Sequence, residues 1–141
     1  MDESRVCLRV PVLHRKTSTT PFPGAVMAAG FLFIDDQDKM LLLKRSKHFV
    51  FPNHWDMPGG SSETGESPMK TAIRETKEEI GFLPDVISIE EYHVNCYTVF
   101  VADVAEQFNP ILSDEHSSHL WVRRNYTIAL RLHPVLKQLL R

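Results

Sequence analysis

The 141-residue chain has the length of one domain, and its 43% hydrophobic residues are enough to bury a core. A formal net charge of −2 leaves no basic excess, which disfavours nucleic acid or an anionic membrane as a partner. The longest apolar run, residues 25–34, is too short to span a bilayer.

Cellular location is suggested by the cysteines and the first residues. Cys7 and Cys96 are far apart and form neither a disulfide framework nor a CxxC metal motif. The chain begins with acidic residues and lacks the basic and apolar regions of a signal peptide. We therefore expect a cytoplasmic protein in a reducing compartment, with residues 1–141 folding as one domain.

The first half of the chain alternates between strand and loop patterns. Apolar residues at every second position of 6–12 predict a strand, and Pro11 places it at a sheet edge or a bulge. Residues 16–24 are rich in Ser, Thr and Pro and predict a loop. Strands over 25–34 and 40–45, separated by a polar turn, predict a hairpin.

A loop over 46–53 and a tight turn over 58–60 lead to the central helix. Ser67 suits its N-cap, Pro68 its first position and Gly81 a left-handed C-terminal residue. The helix carries an apolar stripe that would pack on a core, made of Met69, Ala72, Ile73, Thr76 and Ile80.

The second half predicts strands over 86–94 and 96–104, a loop over 108–118 and a short strand over 119–122. Residues 133–140 form an amphipathic terminal helix. Strands on both sides of one central helix indicate an α+β domain.

The central helix also carries an acidic cluster. Glu75, Glu78 and Glu79 fall within an arc of roughly 100° at helical spacing. Three like charges on one arc repel, and a hard divalent cation is the commonest reason for a helix to keep them. The plain alternative is a solvated acidic face with an ordinary ion pair between Arg74 and Glu78.

The spacing of residues 60–82 resembles the Nudix box, the signature of hydrolases that cleave nucleoside diphosphates linked to another group. The positions that carry the resemblance are Gly60, Glu66, Arg74, Glu75, Glu78, Glu79, Gly81 and Phe82. One soft position departs, because Thr76 stands where an aliphatic residue is usual. The resemblance implies the Nudix fold, an α/β/α sandwich whose mixed sheet lies between a catalytic loop-helix and a C-terminal helix.

The resemblance also implies a metal site that holds one to three Mg²⁺ or Mn²⁺ ions. Its expected ligands are the Gly59 carbonyl and the carboxylates of Glu75, Glu78 and Glu79, with Glu75 acting as ligand, general base or both. Glu66 is expected to pair with Arg74 and so to orient these carboxylates.

A later loop offers one more catalytic candidate. In MutT-type members an acidic residue directly precedes a late Trp, but here Leu120 precedes Trp121. Glu115, His116 and Trp121 instead resemble an EHxxYxW arrangement of other members, which makes Glu115 a candidate base or ligand. A solvated loop carboxylate is an equal alternative. His116 and His119 lack the second ligand pair that a zinc site needs.

Substrate contacts are less well defined by sequence. By resemblance to MutT-type enzymes, Arg45 is the candidate phosphate contact, and a polar strand end is the alternative. Four aromatic residues could stack on a base or belong to the core: Phe49, Phe51, Trp55 and Tyr97.

The expected reaction is hydrolysis of a nucleoside triphosphate, including damaged ones, to monophosphate and pyrophosphate. The alternatives are a dinucleoside polyphosphate or nucleotide-sugar hydrolase, a non-catalytic nucleotide sensor on the same fold, and a purely structural module. We expect a small-molecule nucleotide partner, no nucleic acid and no membrane. Oligomeric state stays open, although the resemblance implies that homodimers are common.

Overall fold

The computed structural model describes residues 27–141, so the strand expected over 6–12, the loop over 16–24 and Cys7 lie outside the described residues. The strands are β1 Ala28–Ile34, β2 Lys39–Arg45, β3 Trp55–Asp56, β4 Gly59–Ser61, β5 Ser88–Val94, β6 Tyr97–Asp103 and β7 His116–Arg123. The helices are α1 Pro68–Ile80, a 3₁₀ helix Arg124–Ala129 and α2 Pro134–Leu140.

The strands form a mixed sheet centred on β1 and β2. β1 pairs in parallel with β6, which pairs antiparallel with β5, while β2 pairs antiparallel with β3 and β7. β1 and β2 pair at Ile34 and Met40, and β1 then pairs with β4 over residues 28–30. The expected hairpin is confirmed at its turn, and its strands separate beyond it.

Each face of the sheet is covered by one helix. Because successive strand residues point to opposite faces, Leu32 and Ile34 join the core cluster that contains Leu136 of α2. Phe31 and Phe33 join the other cluster, which contains the buried residues of α1. This layering confirms the α/β/α sandwich expected from the sequence.

The ends of α1 confirm the predicted signals. The Ser67 side chain accepts a hydrogen bond from the Lys70 amide, and Pro68 occupies the first helical position. Gly81 has a φ of 87° and donates its amide hydrogen to the Lys77 carbonyl. The predicted apolar stripe packs on the core, with Ala72, Thr76 and Ile80 buried.

Three predictions of local structure were wrong. The expected tight turn over residues 58–60 contains strand β4, which pairs with β1. The final strand begins at His116 rather than residue 119, because it pairs with β2 along its whole length. Residues 86–87 precede β5 rather than belonging to it.

The sequence also led us to expect no disulfide framework and no membrane-spanning segment. Cys96 is a free thiol at the β5–β6 turn. No helix in the described part of the chain has both the length and the apolarity needed to cross a membrane.

Leu136→Ala should lower the free energy of unfolding by about 2–5 kcal/mol, because it leaves a cavity beneath α2 where Leu136 is fully buried. Urea denaturation measures this change. Gln138→Ala, at an exposed position of the same helix, is the matched control and should stay within about 0.5 kcal/mol of the parent. Equal effects of the two substitutions would contradict the packing described here.

Candidate active site

Strand β4 lies against the carboxylates of α1 because glycines occupy the points of closest approach. The Gly59 amide donates a hydrogen bond to Oε2 of Glu79 at 3.1 Å. A Cβ on Gly60 would lie 2.6 Å from the carboxyl carbon of Glu75. A Cβ on Gly30, which pairs with Gly59, would lie 2.5 Å from the Tyr97 hydroxyl. These glycines are needed for close packing rather than for a turn.

The Arg74 guanidinium joins the loop before α1 to the helix carboxylates. Its Nε and Nη2 donate to the two oxygens of Glu66 at 2.8 and 3.0 Å, which confirms the expected pair. Its Nη1 donates to Glu75 at 2.8 Å and lies 3.3 Å from Glu78. Hydrogen bonds from Arg74 hold the pKa of Glu66 down at about 2.

Glu79 differs from its neighbours because it is almost fully buried, with 2% of its surface exposed. Burial, followed by contact with the Glu75 carboxylate, raises the pKa of Glu79 from 4.5 to about 11. None of the ion pairs that Arg74 makes within residues 27–141 includes Glu79. A carboxylate in this environment needs a proton or a cation.

The end of the segment before β7 and the first residue of β7 bring two more side chains, Glu115 and His116, to Glu79. The Ser113 amide donates to the Glu79 carbonyl at 3.2 Å, and the Ser46 amide donates to the Glu115 carbonyl at 2.8 Å. His116 Nδ1 lies 3.6 Å from Oε1 of Glu79. One potential ligand atom each from Glu79, Glu115 and His116 lies within 4.8 Å of the other two.

The pKa values of both side chains, His116 and Glu115, are shifted by their surroundings. Burial, helped by the positive charge of Arg45, lowers the pKa of His116 to about 4. Burial, and next the Glu75 carboxylate, raises the pKa of Glu115. The histidine considered with His116 for zinc, His119, is not part of this group.

Arg45 ends β2 and lies opposite His116, where the β2–β7 register shifts by a bulge. Its Nη1 lies 3.3 Å from Oδ2 of Asp56, and its Nε donates to the Val50 carbonyl. These contacts hold Arg45 beside the carboxylates of Asp56 and Glu115. Its contact with substrate phosphate stays a prediction.

The four aromatic candidates fall into two groups. Trp55 and Tyr97 are partly buried and pack against the core cluster beneath α2. Phe49 and Phe51 are each 39% exposed on the loop between β2 and β3. The rings of this loop are therefore the most exposed of the four, and Phe51 has a φ of 55° and packs edge-on against His133.

The arrangement suits a divalent cation. Glu75, Glu78 and Glu79 come from α1, Gly59 from β4, and Glu115 from the segment before β7. The two guanidiniums cannot neutralise all of these carboxylates, because Arg74 also pairs with Glu66 and Arg45 pairs with Asp56. Oxygen ligands of this kind are the ones Mg²⁺ and Mn²⁺ prefer. Which of these groups bind an ion remains a prediction.

A comparison of the sequence with models of known families agrees with the motif of residues 60–82, with helix α1 and with the α/β/α sandwich. The NUDIX domain family model matches residues 24–141. This chain belongs to the Nudix family. The resemblance inferred from the box is thereby confirmed, as is the Nudix fold.

Several relatives of this Nudix chain have named activities. It is 32% identical over 127 residues to a protein of Mycobacterium tuberculosis named putative 8-oxo-dGTP diphosphatase 3, covering 79% of this chain and 58% of that one. It is 41% identical over 56 residues to an ADP-ribose pyrophosphatase of Methanocaldococcus jannaschii, covering 40% and 32%. The chain thus spans under three fifths of the length of the mycobacterial relative.

Solved structures share its fold, and one of them is a Nudix hydrolase. RenU of M. smegmatis superposes with a TM-score of 0.69 at 23% identity, covering 81% of this chain and 80% of that one. An Ap4A hydrolase of C. elegans, solved as a binary complex, superposes with a TM-score of 0.67 at 27% identity, covering 83% and 93%.

Sequence reasoning missed two buried polar residues of this Nudix site. Asp56 follows Trp55 with no spacing signal, and its side chain accepts hydrogen bonds from Arg45 and the Met57 amide. Burial is the largest effect on Asp56 and raises its pKa. His116 was noted in the EHxxYxW resemblance and as half of a weak zinc pair, but was given no role at the carboxylates, because nothing local links it to Glu79 across 37 residues of chain.

Without metal, Glu79→Gln should stabilise the protein at pH 8. The folded-state pKa of Glu79 lies above its unfolded value, so the folded protein binds the extra proton and loses stability as the pH rises from 4.5. We expect a gain of ~1–3 kcal/mol at pH 8 and little difference at pH 5. Urea unfolding in EDTA at both pH values measures it.

Glu106→Gln, at an exposed position, is the matched control and should show no such pH dependence. If Glu79→Gln were less stable than the parent at pH 8 in EDTA, the claim that burial raises the pKa of Glu79 would be contradicted.

Gly60→Ala should displace the Glu75 carboxylate, since the added methyl group would overlap it. We expect affinity for Mn²⁺ to fall about tenfold or more while the urea midpoint changes little. Ser61→Ala, one residue further along β4, is the matched control, measured by calorimetric titration. Unchanged Mn²⁺ binding in Gly60→Ala would show that Glu75 is not a ligand.

Proposed function

We propose that this Nudix chain hydrolyses a phosphoanhydride bond of a nucleoside diphosphate linked to another group, with Mg²⁺ or Mn²⁺. The preferred substrate is a nucleoside triphosphate, including damaged ones, and the products are a monophosphate and pyrophosphate. The mycobacterial relative, named a putative 8-oxo-dGTP diphosphatase, supports this class.

One observation carries the proposal: the buried Glu79 carboxylate lies beside Glu75 and Glu115, outside the ion pairs of Arg74. A solvated acidic face would not bury a carboxylate next to two others, because that arrangement costs several kcal/mol (~3–5) unless a cation offsets it. A purely structural module, one of the alternatives from the sequence, would have no reason to bury the Glu79 carboxylate at this cost.

Each residue has a proposed role. Gly59, Glu75, Glu78 and Glu79 would hold the divalent ion, whose positive charge lowers the repulsion between a nucleophile and the phosphates. Arg74, anchored by Glu66, keeps Glu75 and Glu78 oriented.

Two residues face the substrate in this scheme. Glu115, with a pKa raised by burial, suits a general base that takes a proton from the attacking water, and Glu75 is the alternative base. Arg45, held by Asp56 and the Val50 carbonyl, would contact a phosphate with a preorganised guanidinium.

A second substrate class has support of its own. The C. elegans Ap4A hydrolase is 27% identical and similar over most of its length. The Glu115, His116 and Trp121 spacing also resembles members outside the MutT type. A dinucleoside polyphosphate or nucleotide sugar is therefore the alternative substrate.

A nucleotide panel with Mg²⁺ in H₂¹⁸O tests the reaction. The preferred reaction releases pyrophosphate and places ¹⁸O in the nucleoside monophosphate, since water attacks the α phosphorus. Label in the other product would contradict this regiochemistry. Preferential cleavage of dinucleoside polyphosphates would favour the alternative substrate.

Glu78→Gln should reduce metal-dependent turnover by about 10²–10⁴-fold with little loss of stability, because the side chain is 57% exposed and its main contact is Arg74. Steady-state kinetics measure this loss. The control is Glu63→Gln, which also removes a carboxylate next to Arg74. A parent protein that binds nucleotide but has no turnover to lose would instead be a sensor.

A further inference from the structure

His116 is a buried histidine whose ring has no hydrogen-bond partner. Its side chain is 0% exposed, and neither ring nitrogen forms a hydrogen bond with any of residues 27–141. Burying a polar group in this way costs about 1–3 kcal/mol unless a partner is supplied. The pairing of β7 with β2 opposite Arg45 keeps His116 in this position.

The spacing of His116 and Glu79 suits a shared ion better than a direct hydrogen bond. Their Nδ1 and Oε1 atoms are 3.6 Å apart, beyond the usual hydrogen-bond range of about 2.7–3.2 Å. Two ligand atoms at about 2.1 Å from one ion, at tetrahedral or octahedral angles, lie about 3.0–3.4 Å apart. A small movement of His116 Nδ1 and Glu79 Oε1 towards each other would therefore bring both atoms to coordination distance from one ion.

Glu115 could supply a third ligand, and its carboxylate charge would be opposite to that of a bound cation. One oxygen of Glu115 lies within 4.8 Å of the ligand atoms of Glu79 and His116. Arg74 pairs with Glu66, Glu75 and Glu78, and Arg45 pairs with Asp56. The two carboxylates next to His116 thus lack a cation among these pairs.

We propose that Glu79, Glu115 and His116 form a second divalent-ion position, which takes a first-row transition ion such as Mn²⁺, Co²⁺ or Zn²⁺. An imidazole ligand favours these ions over Mg²⁺, which prefers oxygen ligands throughout. Glu79 lies between this position and the oxygen-only position proposed around Gly59, Glu75 and Glu78. The inference rests on the proposed function through Glu79, which both positions share, and through Glu115. With Glu115 as a ligand here, the general base is the alternative candidate, Glu75.

Pulsed EPR of the full chain with one and then three equivalents of Mn²⁺ tests the nitrogen ligand. The parent protein should show ¹⁴N coupling from a directly bound imidazole. His116→Gln should lose this coupling and bind Mn²⁺ at this position about tenfold or more weakly, whereas His119→Gln should keep both. Absence of ¹⁴N coupling in the parent, or its persistence in a folded His116→Gln protein, would overturn the inference.

Anomalous diffraction from parent crystals soaked in MnCl₂ needs no variant to fold. A manganese peak within about 2.3 Å of a His116 nitrogen supports the second position. A peak only among Gly59, Glu75 and Glu78 overturns it and leaves the proposed hydrolysis site intact. Absence of manganese from both positions overturns the inference and the proposed function together.

Discussion

The contact between Glu79 of α1 and the Gly59 amide of β4 is the interaction on which the rest of the site depends. At 3.1 Å it holds a buried carboxylate against the backbone of the sheet. That approach is possible only because Gly59 and Gly60 have no side chains, since any Cβ there would overlap Tyr97 or Glu75. The site thus begins as a packing constraint between one helix and one short strand.

Charge is distributed unevenly around that contact. Arg74 binds carboxylates of α1 and of the loop before it, and its hydrogen bonds lower the pKa of one of them, Glu66, to about 2. On the inner side, Glu79 has the opposite shift because burial dominates. The outer carboxylates of the site therefore share one guanidinium, whereas Glu79 on the inner side is outside the ion pairs that Arg74 makes within residues 27–141. In the proposed function, this asymmetry would favour an ion on the inner side of α1, and Arg45 would contact the nucleotide there.

Tertiary connections rather than a motif bring the remaining groups to the inner side. The segment before β7 is hydrogen-bonded both to the end of α1 and to Ser46. These bonds place Glu115 and the first residue of β7, His116, beside the helix and the β2–β3 loop. Trp121, further along β7, anchors the same segment by donating its indole N–H to the Phe108 carbonyl. The segment before β7 is thus tied to α1, to the β2–β3 loop and to β7 itself.

By itself, the sequence determined α1 and its family. Ser67, Pro68 and Gly81 act on adjacent backbone groups, and helical spacing alone puts the glutamates on one arc, so local chemistry suffices for both. Tertiary structure alone decided which glutamate is buried, that Gly59 and Gly60 lie in a strand, and that His116 and Asp56 join the site. Burial and strand pairing depend on groups distant along the chain, and their partners leave no local spacing signal.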